Sequence, residues 1–317
     1  MAIIGKDISQ AKKLLSGGEL VAIPTETVYG LAANALDPTA VTQIFAVKDR
    51  PTFDPLIVHV ATIEQAQKFA ASFPEKAMKL ANHFWPGPLT LVLPKQAIIP
   101  DIVTSGLSTV GIRCPNHDLT RKLLADLPFP LAAPSANPFG YVSPTTAAHV
   151  NSQLGHKIKY ILDGGPCRIG LESTIVGFEN ENAIIYRRGG ISEEEISKII
   201  GKVSYRLASS NPVAPGQLDS HYAPNKKFYL GDIDELKKEF IGKNVGILRF
   251  MNNSDSSVDH QLILSKSGNL EEAARNLFSS LRQLDQKIDI EIILAEPVPD
   301  SGIGKAINDR LRRAATN

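Results

Sequence analysis

The sequence predicts an α/β protein with a mixed β-sheet in its N-terminal part and a smaller, Rossmann-like unit after it. In residues 1–204, short apolar runs typical of strands are interspersed with amphipathic stretches, without the strict alternation of a doubly wound sheet. Residues 205–225 contain three prolines and no apolar periodicity, which is typical of a linker. From residue 226 to residue 317 the pattern of strands and helices starts again.

The helices of the first domain, residues 1–204, are predicted from apolar residues at helical spacing. An amphipathic helix comes first, with one apolar face formed by Ile8, Ala11, Leu14 and Leu15. Further helices are predicted over residues 38–47, 63–73, 119–127 and 191–200. The helix over 38–47 ends before Pro51, because a residue that precedes proline disfavours the α conformation. Ser192, followed by three glutamates, marks the start of the last helix.

The strands of this domain are predicted where apolar runs are bounded by turn-forming residues. They cover residues 20–23, 56–60, 89–93, 108–115, 129–137 and 160–165. Residues 173–179 and 183–190 predict a hairpin, because a polar turn joins two runs rich in β-branched and aromatic residues. Strands and helices in this irregular order favour a mixed sheet.

The second domain, residues 226–317, follows the linker at residues 205–225. Its strands are predicted at 226–231, 244–250, 261–265 and 290–296, and its helices at 233–240, 269–286 and 303–315. This order is typical of a small β/α/β unit of about 90 residues.

Composition excludes several classes of protein. The 34 basic and 33 acidic residues give a net charge of +1, which argues against a polyelectrolyte that coats nucleic acid or membranes. Two cysteines in 317 residues exclude a disulfide scaffold and favour a reducing compartment. No run approaches the roughly 18 apolar residues of a membrane span, and the N-terminus is too charged for a signal peptide. We therefore expect a cytoplasmic protein.

Two short motifs are candidates for binding phosphate. Lys48 and Arg50 stand two residues apart at the exit of a helix, where an arginine fork and a lysine charge suit phosphate oxygens. Ser135 and Asn137 follow an apolar strand, at the position where α/β sheets bind ligands. Alternatively, the two cations complement the helix dipole, and the polar pair forms a turn.

Three further positions combine polar residues with a buried or glycine-rich setting. Arg113 lies in an apolar strand and needs either a protein partner or a cavity. Residues 172–174 follow a glycine-rich segment that would let a ligand approach the backbone, and residues 25–27 follow a strand. The alternatives are a structural ion pair for Arg113 and plain turns for the other two.

The sequence contains no motif for a protein-bound metal. Its seven histidines show no HExxH spacing, and Cys114 and Cys167 form no CxxC motif, so no zinc is expected. Residues 301–305 resemble part of a phosphate loop but lack the full spacing, and predict only a helix start.

Six motifs in a fixed order resemble the YrdC/Sua5 family: PTETVYGLAANA (24–35), KDRPTFDPLIVHV (48–60), WPGPLTLVL (85–93), TVGIRCP (109–115), APSAN (133–137) and GLESTIV (170–176). Residues 214–224 and 302–315 resemble the long form, Sua5, so the resemblance spans essentially the whole chain. It implies a twisted open sheet with a large basic cavity, a small Rossmann-like domain, and a linker that can cover the cavity.

Members of this family are L-threonylcarbamoyladenylate synthases. The resemblance therefore implies that L-threonine, bicarbonate and ATP are condensed with release of pyrophosphate, with Mg²⁺ carried by the ATP phosphates. The product would feed the N6-threonylcarbamoyl modification (t6A) of adenosine 37 in tRNA through downstream transferase machinery. No nucleophile–base triad is needed, because the reaction depends mainly on positioning and charge neutralisation.

The resemblance also implies residue roles. Threonine would be held by Thr27, His59, Arg113, Ser173 and the backbone of Ala133. ATP would be surrounded by Lys48, Arg50, Asp54, Thr109, Ser135, Asn137, Ser143 and Arg187. Tyr222 of the linker would close over the nucleotide, while Lys48 and Arg50 would act in catalysis.

The sequence departs from the family pattern at two places. Asp54 stands where the family often has asparagine, and a carboxylate there would repel triphosphate unless it meets Mg²⁺ or a cation. We hypothesise that it bonds neutral nucleotide groups or lies in the outer shell of the metal. Residues 217–220 replace the basic residues that some long forms carry in the linker, which puts linker contacts with phosphate in doubt.

Three other functions fit parts of the sequence less well. A tRNA- or dsRNA-binding module would use the basic cavity, but the net charge of +1 and the absence of aromatic residues among the basic ones weigh against it. A carbamoyl-transferring domain belongs to longer proteins with segments that are absent here. A hydrolase with Ser135 or Ser173 as nucleophile would need a GxSxG elbow, which the sequence lacks.

Overall fold

A computed structural model of the protein describes residues 1–180, 182–207, 212, 214–217, 221–251 and 260–316. It contains two sheets, and we call each sheet with its helices a lobe. The large lobe is a mixed sheet of eleven strands in the order β1-β8-β2-β3-β7-β4-β6-β5-β9-β10-β11. The small lobe is a parallel sheet of four strands in the order β12-β15-β13-β14. Both predicted architectures, the mixed sheet and the Rossmann-like unit, are confirmed.

The strands of the large lobe are β1 (Ile3–Gly5), β2 (Val21–Ile23), β3 (Gly30–Asn34), β4 (Ile57–His59), β5 (Leu89–Pro94), β6 (Thr109–Arg113), β7 (Leu131–Ala132), β8 (Tyr160–Leu162), β9 (Thr174–Glu179), β10 (Asn182–Arg187) and β11 (Val203–Tyr205). Its helices are α1 (Ile8–Ser16), α2 (Pro38–Lys48), α3 (Ile63–Gln67), α4 (Glu75–Phe84), α5 (Asp101–Thr104), α6 (Asp118–Asp126), α7 (Ala147–Leu154) and α8 (Glu193–Ile200).

The small lobe contains β12 (Lys227–Leu230), α9 (Ile233–Glu239), β13 (Val245–Arg249), β14 (Gln261–Ile263), α10 (Leu270–Gln286), β15 (Ile292–Ala295) and α11 (Gly304–Ala314). The predicted division at residues 204 and 225 stays a prediction, and its first boundary falls within β11. Among the described residues, no helix has the length and apolar character needed to span a bilayer.

Local sequence signals explain where several helices begin and end. Asp37 caps α2 by accepting hydrogen bonds from the backbone amides of Thr39 and Ala40, and Asp49 ends that helix in the left-handed conformation with φ of 53°. Ser192 and Glu195 form a capping box at the start of α8. The end of α2 at Asp49 places Lys48 and Arg50 on the same short segment, beside the candidate site.

The structure differs from the sequence prediction in several elements of the large lobe. The helix predicted over 63–73 ends at Gln67, because residues 69–71 pair with the end of β5: the Gln96 amide donates to Phe69 and the Ala71 amide donates to Pro94. Strands β1, β3 and β11 and helices α4, α5 and α7 were not predicted. Strand β7 is shorter than the predicted 129–137, although the chain beyond it continues to accept hydrogen bonds at Pro134.

The register of the central strands brings candidate residues together. Arg113 has two neighbours in the sheet. His59 lies opposite it across the parallel pair β4–β6, and Thr90 lies opposite it across the antiparallel pair β5–β6. Leu131 of β7 lies opposite His59 on the other side. Residues far apart in sequence thus reach one end of the sheet, where the cavity lies.

Candidate active site

A cavity of about 50 Å³ lies at this end of the large sheet, under the linker. Its walls come from strands β4, β6 and β10, from the segments after β7 and before β9, and from linker residues 215–216 and 221–222. Seven of the predicted site residues line it: Arg50, His59, Arg113, Ala133, Ser135, Arg187 and Tyr222. Four further predicted residues contact residues of this wall: Lys48, Asp54, Ser143 and Ser173.

Arg113 has a protein partner inside the cavity. Its Nη2 lies 2.8 Å from Oε1 of Glu26, and both side chains are almost fully buried. The alternative of a structural ion pair is therefore realised in this structure. Nε of Arg113 is buried without a hydrogen-bond acceptor, so the guanidinium keeps capacity for a second carboxylate.

His59 is a neutral histidine on the same wall. Its Nδ1 lies 3.2 Å from the carbonyl oxygen of Ile57, which favours the tautomer that carries the proton on Nδ1. Burial, with the nearby charge of Arg113, lowers the pKa of His59 to about 3. The ring can thus accept a hydrogen bond through Nε2 without adding positive charge.

Acidification is expected to destabilise the protein through His59. Its pKa is about 3 in the folded protein, whereas an imidazole in an unfolded chain has a pKa of about 6.5. Between these values the unfolded chain binds a proton that the folded protein does not. This share of the stability is present above the unfolded pKa and falls by up to about 1.4 kcal/mol per pH unit as the pH drops below it.

Urea unfolding of wild type and His59→Gln at pH 7.5 and 5.5 measures this effect. The variant should lose less stability on acidification than wild type does. The matched control is His156→Gln, whose imidazole is exposed to water in the folded protein and should leave the difference unchanged. Equal losses in wild type and His59→Gln would contradict the prediction.

Lys48 and Arg50 converge on the loop that follows β7. Lys48 Nζ donates to the carbonyl oxygens of Ser135, at 2.6 Å, and of Asn137. Burial, and then the charge of Arg50, lower the pKa of Lys48 well below its ordinary value. Arg50 donates through Nη2 to the carbonyl of Pro55 at 2.9 Å and lines the cavity.

Asp54 meets a cation, as its position requires. Its Oδ2 lies 2.9 Å from Nη2 of Arg50, and both side chains are buried. Burial raises the pKa of the Asp54 carboxyl, whereas the charge of Arg50 acts in the opposite direction. The ion pair is a sufficient reason for a carboxylate at this point, without contact to nucleotide or metal.

Arg187 and Ser173 form one polar unit with Thr90. Nε of Arg187 donates to the carbonyl of Ser173 at 3.1 Å, and Nη2 donates to its hydroxyl at 3.1 Å. That hydroxyl also shares a 2.7 Å hydrogen bond with Thr90. The arginine therefore fixes Ser173 while one edge of its guanidinium faces the cavity and the linker at Pro215.

The charges of the site are unbalanced toward positive. Arg50, Arg113 and Arg310 have carboxylate partners in Asp54, Glu26 and Glu172. Lys48 and Arg187 form no ion pair among the residues that the structure describes. Two buried basic side chains without counter-ions are costly to charge unless an anion joins them, which favours a site for a polyanion.

Several predicted residues do not line this cavity. Thr27 shares a 2.8 Å hydrogen bond with Thr25 in the turn after β2, and Thr109 lines a smaller cavity beside linker residues 214–215. The amide of Asn137 donates to the carbonyls of Pro138 and Tyr141, so it shapes the loop that receives Lys48. Linker residues 218–220 lie outside the described part of the chain.

The linker tyrosine is enclosed by both lobes. Tyr222 is buried and has a φ of 66°. Its ring stacks on that of Phe278 of α10, with the ring centres 5.7 Å apart, and packs against the ring of His221, with the centres 4.0 Å apart. A Cβ at Gly216 would lie 2.9 Å from the Tyr222 hydroxyl, so this turn needs glycine, whose φ is +81°. The contact places the tyrosine against the cavity wall.

Residue patterns did not reveal Arg310 as part of this site. Ser143 donates a 2.5 Å hydrogen bond to Oε1 of Glu172, and Arg310 of α11 donates from the other side to Oε2 at 3.1 Å. The pair joins residues 138 positions apart, so spacing within one segment could not have shown it.

Comparison with known proteins decides the family. Residues 13–189 match the Sua5/YciO/YrdC model, described as telomere recombination, and residues 191–316 match the C-terminal domain of threonylcarbamoyl-AMP synthase. Threonylcarbamoyl-AMP synthase of Pyrococcus abyssi is 43% identical, over 94% of this chain and 91% of that protein. The chain belongs to the threonylcarbamoyl-AMP synthase family. The Bacillus subtilis member is 41% identical over 97% of this chain and 92% of its own length.

Solved structures agree with this family. Sua5 of Pyrococcus abyssi in complex with L-threonine has a TM-score of 0.91 and 40% identity, and the match covers 99% of this chain and 98% of that one. Escherichia coli YciO, at 19% identity and a TM-score of 0.54, matches 60% of this chain and 96% of its own, and it shares the fold of the large lobe. The family assignment thus covers both lobes.

Proposed function

We propose that this protein condenses L-threonine, bicarbonate and ATP into threonylcarbamoyl-AMP, pyrophosphate and water. The observation that carries the proposal concerns two pairs of residues: Arg187 on the cavity wall and Lys48, which contacts the wall at Ser135, form no ion pair within the described residues, while Arg113 and His59 form a second polar wall. The first pair suits the phosphates of ATP and the second suits an amino acid. The close relatives with this enzyme name support the same activity.

On this proposal, the threonine carboxylate binds Arg113 beside Glu26, and His59 accepts a hydrogen bond from the substrate. The deprotonated amino group of threonine attacks the carbon of bicarbonate, and loss of water leaves a carbamate. An oxygen of this carbamate attacks the α-phosphorus of ATP as the bond to pyrophosphate breaks. The protein supplies orientation for both steps, so no protein nucleophile is required.

Phosphate charge is neutralised by the residues around the loop after β7. Lys48, Arg50 and Arg187 would face the triphosphate, and approach of this anion would favour the charged form of the buried Lys48. Linker residues 215–216 and Tyr222 would exclude water and protect the labile carbamate.

Mg²⁺ is proposed to enter with ATP. Within the described residues, no three His, Cys, Asp or Glu side chains are grouped as metal ligands, and Glu26, Asp54 and Glu172 are paired with arginines. This donor set fits a metal held chiefly by phosphate oxygens. When bound, the ion would add positive charge at the phosphates.

Pyrophosphate release with single omissions tests the proposed function. Purified protein with ATP, Mg²⁺, L-threonine and bicarbonate should release pyrophosphate and form a product with the mass of threonylcarbamoyl-AMP. Omission of threonine or of bicarbonate should abolish both signals. Release that does not depend on threonine would refute the proposal. If threonylcarbamoyl-AMP is formed, it would be the donor for t6A transferase machinery that acts on tRNA.

A further inference from the structure

One side chain of the small lobe contacts both the cavity wall and the linker. Arg310 lies on α11 and is fully buried. Its Nε donates a 3.1 Å hydrogen bond to Oε2 of Glu172, which lines the cavity. Its guanidinium carbon lies 5.1 Å from the ring centre of Tyr222, within the range of a cation–π contact.

The position of Arg310 matters because Glu172 is a buried anion in a site for a polyanion. Ser143 supplies Glu172 with one hydroxyl donor, but only Arg310 supplies it with a charged donor among the described residues. Without that cation, Glu172 would repel phosphate or attract Arg187, which lines the same cavity. Arg310 therefore keeps Arg187 available for ligand.

Other contacts hold the lobes together independently of Arg310. A Cβ on Gly170, whose φ is +80°, would lie 2.5 Å from Cα of Arg275, so backbone of the large lobe packs directly on α10. Arg282 donates to the carbonyls of Val142 and Ser143. Loss of Arg310 should therefore change the site without separating the lobes.

We propose that Arg310 is a positioning residue for nucleotide binding, through which the small lobe acts on the reaction. It neutralises Glu172 and holds Tyr222 in place. Both of these residues lie near Arg187, one of the proposed phosphate-binding residues. The proposed threonine residues Arg113 and His59 instead contact Glu26 and Ile57. The inference depends on the proposed function for its effect on turnover, but its effect on ATP binding can be measured separately.

The test compares Arg310→Gln, Arg310→Lys and the double variant Glu172→Gln/Arg310→Gln. Loss of the guanidinium should weaken ATP binding by about tenfold and raise KM for ATP equally, with KM for threonine within about twofold. The double variant should recover much of the ATP affinity, because residue 172 then carries no charge and Asp309, the other carboxylate beside Arg310, keeps its ion pair with Arg313. Arg312→Gln, an exposed arginine on the same helix, is the matched control and should behave as wild type.

ATP affinity measured by calorimetry, with thermal unfolding of each variant, separates the outcomes. Unchanged ATP affinity in Arg310→Gln, or equal losses for ATP and threonine, would overturn the inference. If Arg310→Gln does not fold, Arg310→Lys and single Glu172→Gln are compared in its place, since lysine keeps the charge but not the fork. Wild type that binds ATP without threonine-dependent pyrophosphate release would refute the proposed function and leave the binding test valid.

Discussion

Replacement of Arg113 with alanine is expected to raise KM for threonine by at least about tenfold and to destabilise the protein by about 3 kcal/mol. The stability loss arises because Glu26, at 2.8 Å from Arg113, would remain as a buried carboxylate without its cation. The KM effect arises because the guanidinium that would bind the substrate carboxylate is gone. Initial rates at varied threonine, and urea unfolding, measure the two effects separately.

Glu26→Gln distinguishes the substrate role of Arg113 from its structural role. This variant also breaks the ion pair, but it leaves the guanidinium free for threonine. We expect reduced stability with a KM for threonine that is unchanged or lower. Exposed Lys122→Ala on α6 serves as the control and should alter neither quantity. If Arg113→Ala raises KM for ATP and threonine equally, the residue acts only through structure.

Local sequence signals were sufficient where an element depends on its own residues. The spacing of apolar residues predicted α1 and α2, and Ser192 with its following glutamates predicted α8. Strand β3 was missed because Gly30–Asn34 contains mainly small residues and becomes a strand by pairing with β2 and β7. Such pairing depends on tertiary contacts, which a single local pattern does not contain.

In the candidate site, too, local sequence selects single residues, whereas the fold decides which of them pair. Lys48, Arg50 and Arg113 could be selected because cations at a helix exit or in an apolar strand need a reason. Glu26 and Glu172 lie in segments that were also selected, but their pairing with Arg113 and Arg310 could not be predicted, since only the fold brings these residues together. The structure also changes the interpretation of Asp54, whose partner is Arg50 four residues away.

Replacement of Arg187 with alanine is expected to lower kcat/KM for ATP by about 10²-fold to 10³-fold. Arg187 combines three contacts in one side chain: the carbonyl and hydroxyl of Ser173, and the linker carbonyl of Pro215. It also forms no ion pair among the described residues, so an incoming triphosphate would be its charged partner. Its removal would therefore take away positive charge and loosen Ser173 and the linker together.

Two variants show which of these contributions dominates. Arg187→Lys keeps a cation but loses the fork, so it should recover part of the ATP affinity and little of the order at Ser173. Arg188→Ala removes the next arginine, which pairs with Glu193 at 3.7 Å outside the cavity, and should keep kcat/KM within about twofold. Steady-state pyrophosphate release at varied ATP gives both values.

A kcat/KM for ATP in Arg187→Ala equal to that of Arg188→Ala would show that the polyanion is bound by other residues. A large loss in Arg187→Ala alone would instead assign this unpaired cation to the phosphates, because the two variants remove the same charge from adjacent residues at the end of β10.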